Sequence, residues 1–423
     1  MMRALYSLVV WIMQAFVRRK VRARAALEPI YGEHINERFG EYDAYVADGT
    51  RPLIWIHAVS LGETRAAAIL LKELRGAIPH MRLLLTNGTA TGRAEGAKLL
   101  QKGDVQVWQA WDTRGATRCF FSHFKPNLGI LLETEVWPNL IASAQAANVP
   151  VSLVNARMSE KSLKKTLRLK WLASEAYSGL TQIYAQTQDD ALRLELIGAK
   201  VNDVFGNLKF DITPNPEQLA KAQALQSALR KPVILFASSR EGEEEKFLNA
   251  LKAIPDKARA SAHWLIVPRH PQRFDEVAQL IEVAGFATLR RSSNPDFDMR
   301  SANDEHAVWL GDTLGEMMFY YGLSSAALLG GSFEPLGGQN LIEALACGCP
   351  VVMGPHTFNF DEAATLAAAE EVAFRVETLE AALQLSLVLG APNGFERKVA
   401  NDFVAKHRGA AVKTAAAIQK LLV

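Results

Sequence analysis

Short runs that are apolar throughout recur along the chain, each followed by a turn and then by a longer stretch with helical spacing. In the first half these runs fall at 52–58, 81–86, 127–132, 150–155 and 183–186, and helical patterns at 64–75 and 91–100 separate the first of them. Runs without polar alternation predict parallel strands covered on both faces by helices. The rhythm pauses over 206–231, where Pro214 and Pro216 precede a polar helix, and this predicts an interdomain hinge. A second series then begins at 233–238 and continues at 264–268, 287–290, 308–310, 326–330 and 350–354. The expected architecture is α/β, two doubly wound Rossmann-like domains facing a central cleft, with ligands at the C-terminal ends of the strands. The expected boundaries are 1–26 for an N-terminal helix with its basic collar, 27–212 and 213–394 for the domains, and 395–423 for a helix packing back towards the first domain.

Residues 5–17 form a thirteen-residue stretch rich in Leu, Val, Ile, Trp and Phe, and Arg18, Arg19, Lys20, Arg22 and Arg24 follow at once. A secretory signal would carry its charge before the apolar run, so this is not one. The run falls short of the roughly 20 residues that cross a bilayer comfortably. Two readings stay open: a short single anchor, or a helix lying in the interface with its collar on anionic head groups. The positive-inside rule then places the rest of the chain in the cytoplasm.

Length and composition narrow the class. At 423 residues the chain suits two domains, and 49% hydrophobic with 22% charged residues is globular composition. A net charge of +2 does not describe a nucleic-acid binder. The cysteines Cys119, Cys347 and Cys349 form no disulfide framework, and the last two read as buried thiols.

Candidate chemistry lies at the strand ends. In His57-Ala58-Val59-Ser60-Leu61-Gly62-Glu63-Thr64 a carboxylate stands where a helix starts. Glu63 reads equally as a ligand-facing group or as a first-turn acid that stabilises the helix. Glu133 and Glu135 follow the next buried strand, where acids are costly unless solvated, paired or used. In an extended chain they would share one side and divide acid and base roles; the alternative is one capping and one salt-bridged glutamate. Arg157 and Ser159 end the following strand and suit an anionic sugar or lipid phosphate. In the second half, Ser238-Ser239-Arg240, Pro268-Arg269-His270, Gly315-Glu316-Met317 and Gly330 through Glu343 make strand-end turns. Arg269 can neutralise a phosphate, the glycine pairs permit close backbone approach, and Glu343 is placed to hold a ribose diol. None of this is a dehydrogenase fingerprint or a Walker loop.

Taken in order, His-Ala-x-Ser-x-Gly-Glu, Glu-Thr-Glu-x-Trp-Pro-Asn, Asn-Ala-Arg-x-Ser, Asn-Leu-Lys-Phe-Asp, Pro-Arg-His-Pro-x-Arg-Phe, Gly-Gly-Ser and Gly-Pro-His-x-x-Asn-Phe resemble the motifs of the bacterial Kdo (3-deoxy-manno-octulosonic acid) transferases. The resemblance spans about residues 50–365. It implies a GT-B fold, CMP-Kdo as donor, a lipid A precursor (lipid IVA) as acceptor, and an inverting displacement without metal or cofactor at the cytoplasmic face of the bacterial inner membrane. By the same resemblance Glu63 is the general base, and Glu133 and Lys209 stabilise the transition state. Pro268, Arg269, Gly315, Glu316, Met317, Asn340, Leu341, Ile342 and Glu343 match the segments that hold CMP. Arg240 and Gln339 stand where the family pattern has His, and Leu341 where Pro is common. Another GT-B transferase with a different nucleotide sugar, or a catalytically silent nucleotide-sugar-binding membrane protein, remains the alternative.

Overall fold

The computed structural model describes residues 2–43, 49–294 and 307–422. The chain divides into two compact units, one built from the residues up to Asp211 together with those from His407 onward, the other from Ile212–Lys406. Each has a seven-stranded parallel sheet.

The first sheet contains β1 (Leu53–His57), β2 (Arg82–Asn87), β3 (Val105–Trp108), β4 (Leu128–Leu132), β5 (Val151–Ala156), β6 (Gln182–Ala185) and β7 (Asp203–Val204), in the order β3-β2-β1-β4-β5-β6-β7. Both faces of its central strands are apolar, and this is why those strands carry no polar alternation. Trp55 of β1 packs with Phe120, Phe121 and Leu131 on one face, while Ile54 and Ile56 pack with Leu70, Leu74 and Ile418 on the other. The second sheet contains β8 (Val233–Ser239), β9 (His263–Pro268), β10 (Ala287–Arg290), β11 (Ala307–Leu310), β12 (Ala326–Leu329), β13 (Val351–Met353) and β14 (Ala373–Arg375), in the order β10-β11-β9-β8-β12-β13-β14.

The strands the hydrophobic pattern does not reveal, β3, β7 and β14, all lie at sheet edges. An edge strand is covered less completely and can be short, so it needs no apolar run. The single helix expected over 395–423 is two helices, Arg397–Lys406 and Ala410–Gln419. Gly409 breaks them with φ +107°, and the Asp211 carboxylate accepts from the backbone N–H groups of Gly409 and Ala411 at the start of the second. Only that second helix belongs to the first unit, where it packs on the helix Leu61–Ala77.

The N-terminal helix is Met2–Ala25, and among the described residues no helix is long and apolar enough to cross a membrane. The short single anchor that the sequence left open is not borne out by this helix. One face docks on the first unit: Tyr6 Oη donates to Asp112 Oδ2 at 2.8 Å, Ser7 Oγ lies 2.8 Å from Asn139 Oδ1, and Trp111 Nε1 donates to the Val10 carbonyl. The opposite face leaves Leu5, Leu8, Val9, Trp11, Ile12, Met13 and Phe16 between 44% and 65% exposed. The collar is divided as well. Arg18 stacks on Phe39 and Arg24 on Tyr31, whereas Arg19, Lys20 and Arg22 are exposed with no ion pair among the described residues.

Candidate functional site

In the first unit, β1 delivers the chain into a turn that ends at Ser60, the N-cap of the helix Leu61–Ala77. Glu63 occupies the third helical position and reaches back. Its Oε1 accepts from the Ser60 hydroxyl at 2.8 Å, its Oε2 accepts from the Val59 N–H at 2.8 Å, and its own N–H donates to Ser60 Oγ. This is a variant of the capping box in which the acid takes the N–H of Val59, one residue before the N-cap, so Glu63 does stabilise the helix start. Burial, reinforced by the like charges of Glu133 and Glu135, pushes its carboxyl up from 4.5 to about 7 against the lowering pull of Val59 and Ser60. A carboxylate poised there can exchange a proton near neutrality.

Glu133 follows β4 with φ +57°, a left-handed conformation that costs a non-glycine residue energy and that clusters at functional sites. The chain turns there, so the extended-chain argument for Glu133 and Glu135 does not apply; the turn brings them together instead. Glu133 Oε1 accepts from Lys209 Nζ at 2.9 Å, and Arg157 Nη1 lies 3.7 Å from Oε2. Glu135 accepts from the Trp137 indole N–H, and burial raises its carboxyl, with the neighbouring Glu133 adding to the rise. Lys209 reaches Glu133 because the turn Leu208–Asp211 is pinned from β5. Asn155, itself at φ +53°, accepts from the Leu208 N–H through Oδ1 at 2.9 Å. Asn207 accepts from the Lys209 N–H. One five-residue motif thus carries a cation to the site and, through Asp211, caps the last helix.

His57 is buried beside this cluster, with Nδ1 2.7 Å from Thr86 Oγ1, and burial lowers its pKa to about 3. A neutral imidazole tied to a threonine is a structural group.

In the second unit the strand ends β8, β9 and β12 converge. Arg269 N–H donates to the Ser239 carbonyl, and Pro268 ends β9 as a buried residue. Gly315 adopts φ +81°, a turn closed to side-chain-bearing residues at low cost, and Gln218 donates to its carbonyl. Glu316 is held by Arg291 at 3.0 Å and by the Thr313 hydroxyl, and Met317 opens a short helix. Asn340 caps the helix Leu341–Ala346, accepting from the Ile342 N–H and donating to Glu343 Oε1 at 3.0 Å. Leu341 and Ile342 are fully buried, so they offer a ligand backbone atoms only. Asn340 thus spends the Ile342 N–H within the helix start.

Two features were missed from sequence. Glu243, fully buried, accepts from the Gly331 N–H through both oxygens and from the Arg240 N–H, tying the turns after β8 and β12 together. Gly330 lies in the same junction, where a Cβ would come within 2.3 Å of the Ser238 carbonyl oxygen. The other feature is the helix Glu160–Leu167, which has no buried residue. It and the residues after it expose Lys161, Lys164, Lys165, Arg168 and Lys170 with Leu167, Leu169 and Trp171. The spacing of cations and apolar residues there was a legible signal.

Comparison with known proteins places this geometry. A family model described as 3-deoxy-D-manno-octulosonic-acid transferase (kdotransferase) matches residues 33–212. A 3-deoxy-D-manno-octulosonic acid transferase of Bordetella pertussis is 44% identical over 402 residues, 91% of each chain. One from Haemophilus influenzae is 33% identical over 367 residues, covering 86% of this chain and 84% of its own. Among solved structures, a Rickettsia africae glycosyltransferase aligns with a TM-score of 0.56 at 14% identity, covering 88% of this chain and 98% of its own. An Anabaena protein crystallised with UDP-glucose gives 0.54 at 13% identity, with 86% and 98% covered. At such identity these structures speak to fold alone, and the fold is that of two parallel-sheet α/β units resembling GT-B glycosyltransferases.

Proposed function

The chain belongs to the 3-deoxy-D-manno-octulosonic acid (Kdo) transferase family, and we propose that it moves Kdo from CMP-Kdo to the lipid A precursor lipid IVA by an inverting displacement without a metal. The observation that carries this reading is Glu63, a capped carboxylate raised to about 7 by burial and by two neighbouring glutamates. As general base it takes the proton from an acceptor hydroxyl, the hydroxyl oxygen bonds to the anomeric carbon of Kdo, and the bond to the CMP phosphate oxygen breaks on the opposite face. Glu133 and Lys209, held as a 2.9 Å pair, stabilise charge developing in the transition state. Pro268, Arg269, the residues 315–317 and 340–343 hold CMP, with Arg269 meeting the phosphate charge. The exposed apolar face of the N-terminal helix, with Arg19, Lys20 and Arg22, lies on the membrane at its cytoplasmic face, and the cationic segment 160–171 meets the phosphorylated lipid acceptor.

CMP is expected to inhibit transfer competitively and UDP to have no effect, and chelation of divalent metals is expected to leave the rate unchanged. Equal inhibition by UDP would move the chain to a different donor.

The pH profile follows from Glu63. The base works ionised, so kcat/KM is expected to rise with pH through about 7. Glu135→Gln removes a like charge and is expected to move that limb to lower pH; an unmoved limb would show that Glu135 does not act on Glu63. The sign for stability is opposite. The folded pKa lies above the ordinary 4.5, so the contribution of Glu63 to stability is full below 4.5 and is lost as pH rises through about 7.

A further inference from the structure

A second feature of the N-terminal helix is not used by the transfer chemistry. A groove of about 570 Å³ is lined by the helices Arg114–Phe124 and Pro138–Ala146 and by Arg3 of the N-terminal helix. Its lining carries three guanidinium groups, Arg3, Arg114 and Arg118, and no acidic residue lines it among the described residues. Among the described residues Arg3 has one counterion, Glu175 at 3.0 Å. Arg114 spends Nε on Ser7 Oγ, so its terminal nitrogens keep their donors, and Arg118, one turn further on and exposed, has no ion pair among the described residues. The nearest acid in sequence, Asp112, is consumed by Tyr6 and by the N–H groups of Asn139 and Leu140. The rest of the lining mixes apolar Phe121, Ala142, Ala146 and Ala147 with the neutral polar Ser122, Asn139 and Ser143.

Guanidinium groups matched by too few carboxylates, beside a lining of apolar and neutral polar groups, fit an anionic, amphiphilic ligand. A free inorganic ion would use the arginines and leave the rest of the lining bare. Arg3 stands two residues before Leu5, about 3 Å along the helix axis, so this part of the lining is level with the beginning of the exposed apolar face. We propose that this groove seats the phosphate headgroup of an anionic membrane phospholipid, with the arginines on the phosphate and the glycerol end on the mixed lining. The site lies apart from Glu63, Glu133 and Lys209, and makes attachment dependent on lipid charge. It rests on the reading above that the N-terminal helix lies on a membrane.

The test is cosedimentation of the full chain with phosphatidylcholine vesicles, with and without phosphatidylglycerol. Wild type is expected to bind the phosphatidylglycerol vesicles more tightly. Arg118→Glu is expected to weaken that binding about five-fold or more while leaving phosphatidylcholine binding unchanged. Gly115→Leu provides the variant that alters no charge. A Cβ at Gly115 meets no atom within 4 Å, and the leucine side chain is expected to fill the groove and weaken phosphatidylglycerol binding alike. Thermal unfolding of both variants, expected at the wild-type midpoint, shows that they fold. Wild type that binds neither vesicle overturns the membrane reading. Wild type that binds both equally, variants that keep full preference for phosphatidylglycerol, or a groove that inorganic phosphate alone saturates, overturns this site while leaving the membrane reading in place.

Discussion

Glu63→Ala is expected to lower the transfer rate by roughly 10²- to 10⁴-fold, the range over which a positioned base contributes, while the affinity for CMP stays within about two-fold of wild type. Two roles meet at this residue, and a second substitution separates them. Glu63 closes the capping box with Ser60 and Val59, so alanine also removes hydrogen bonds that hold the first turn of the helix. Glu63→Gln keeps an acceptor oxygen for the Val59 N–H and the shape of the side chain, but cannot take a proton. The glutamine variant is expected to unfold like wild type and to be as inactive as the alanine variant. A glutamine variant with wild-type activity would reduce Glu63 to its capping role.

Lys209→Met is expected to be costly in two currencies. Lys209 and Glu133 are 16% and 12% exposed, between a surface pair worth about 0–1 kcal/mol and a fully buried pair whose disruption costs about 3–5 kcal/mol. Arg157 at 3.7 Å remains as partial compensation for Glu133, which places the expected loss of stability on the order of 2 kcal/mol in denaturant unfolding. Adding Glu133→Gln removes the uncompensated charge and is expected to restore most of that stability. Transfer is expected to fall about 10²-fold or more in the single variant, and the double variant, although refolded in stability, is expected to stay inactive. Recovery of activity together with stability would mean that the pair only supports the fold.

The contrast between these two sites bears on what the sequence discloses. The strands β1, β2, β4, β5 and β8 were legible because a strand covered on both faces must be apolar at every position, and that pattern has few other sources. The edge strands were not, since Val105-Gln106-Val107-Trp108 and Asp203-Val204 are under no such demand. Glu63 was visible as a first-turn acid, and local grammar left its use open; its raised pKa comes first from burial in the folded unit and then from Glu133 and Glu135, about seventy residues away. The Glu133–Lys209 pair spans 76 positions and is brought together by Asn155, whose left-handed backbone and side-chain contact with Leu208 leave no periodic trace. Motif order supplied those residues where pattern could not. In the second unit motif order reaches residues that pattern alone would assign to the core, since Leu341 and Ile342 are buried and Asn340 takes the Ile342 N–H. Glu243 escaped notice because an acid among Glu241, Glu244 and Glu245 looks like an ordinary solvated helix start, whereas Glu243 and Glu244 are both buried and the hydrogen bonds of Glu243 make it the tie between two turns. In the N-terminal helix the basic collar was read as a unit, yet Phe39 and Tyr31 hold two of its arginines against the protein.

The central claim is that this chain transfers Kdo from CMP-Kdo to a lipid acceptor with Glu63 as the base. Mass spectrometry of lipid IVA after incubation with CMP-Kdo and purified full-length protein tests it most directly. The lipid is expected to gain the mass of Kdo with release of CMP for the wild-type chain, and to stay unchanged with Glu63→Gln. An unmodified lipid in the wild-type reaction, or a modified one with the glutamine variant, would contradict it.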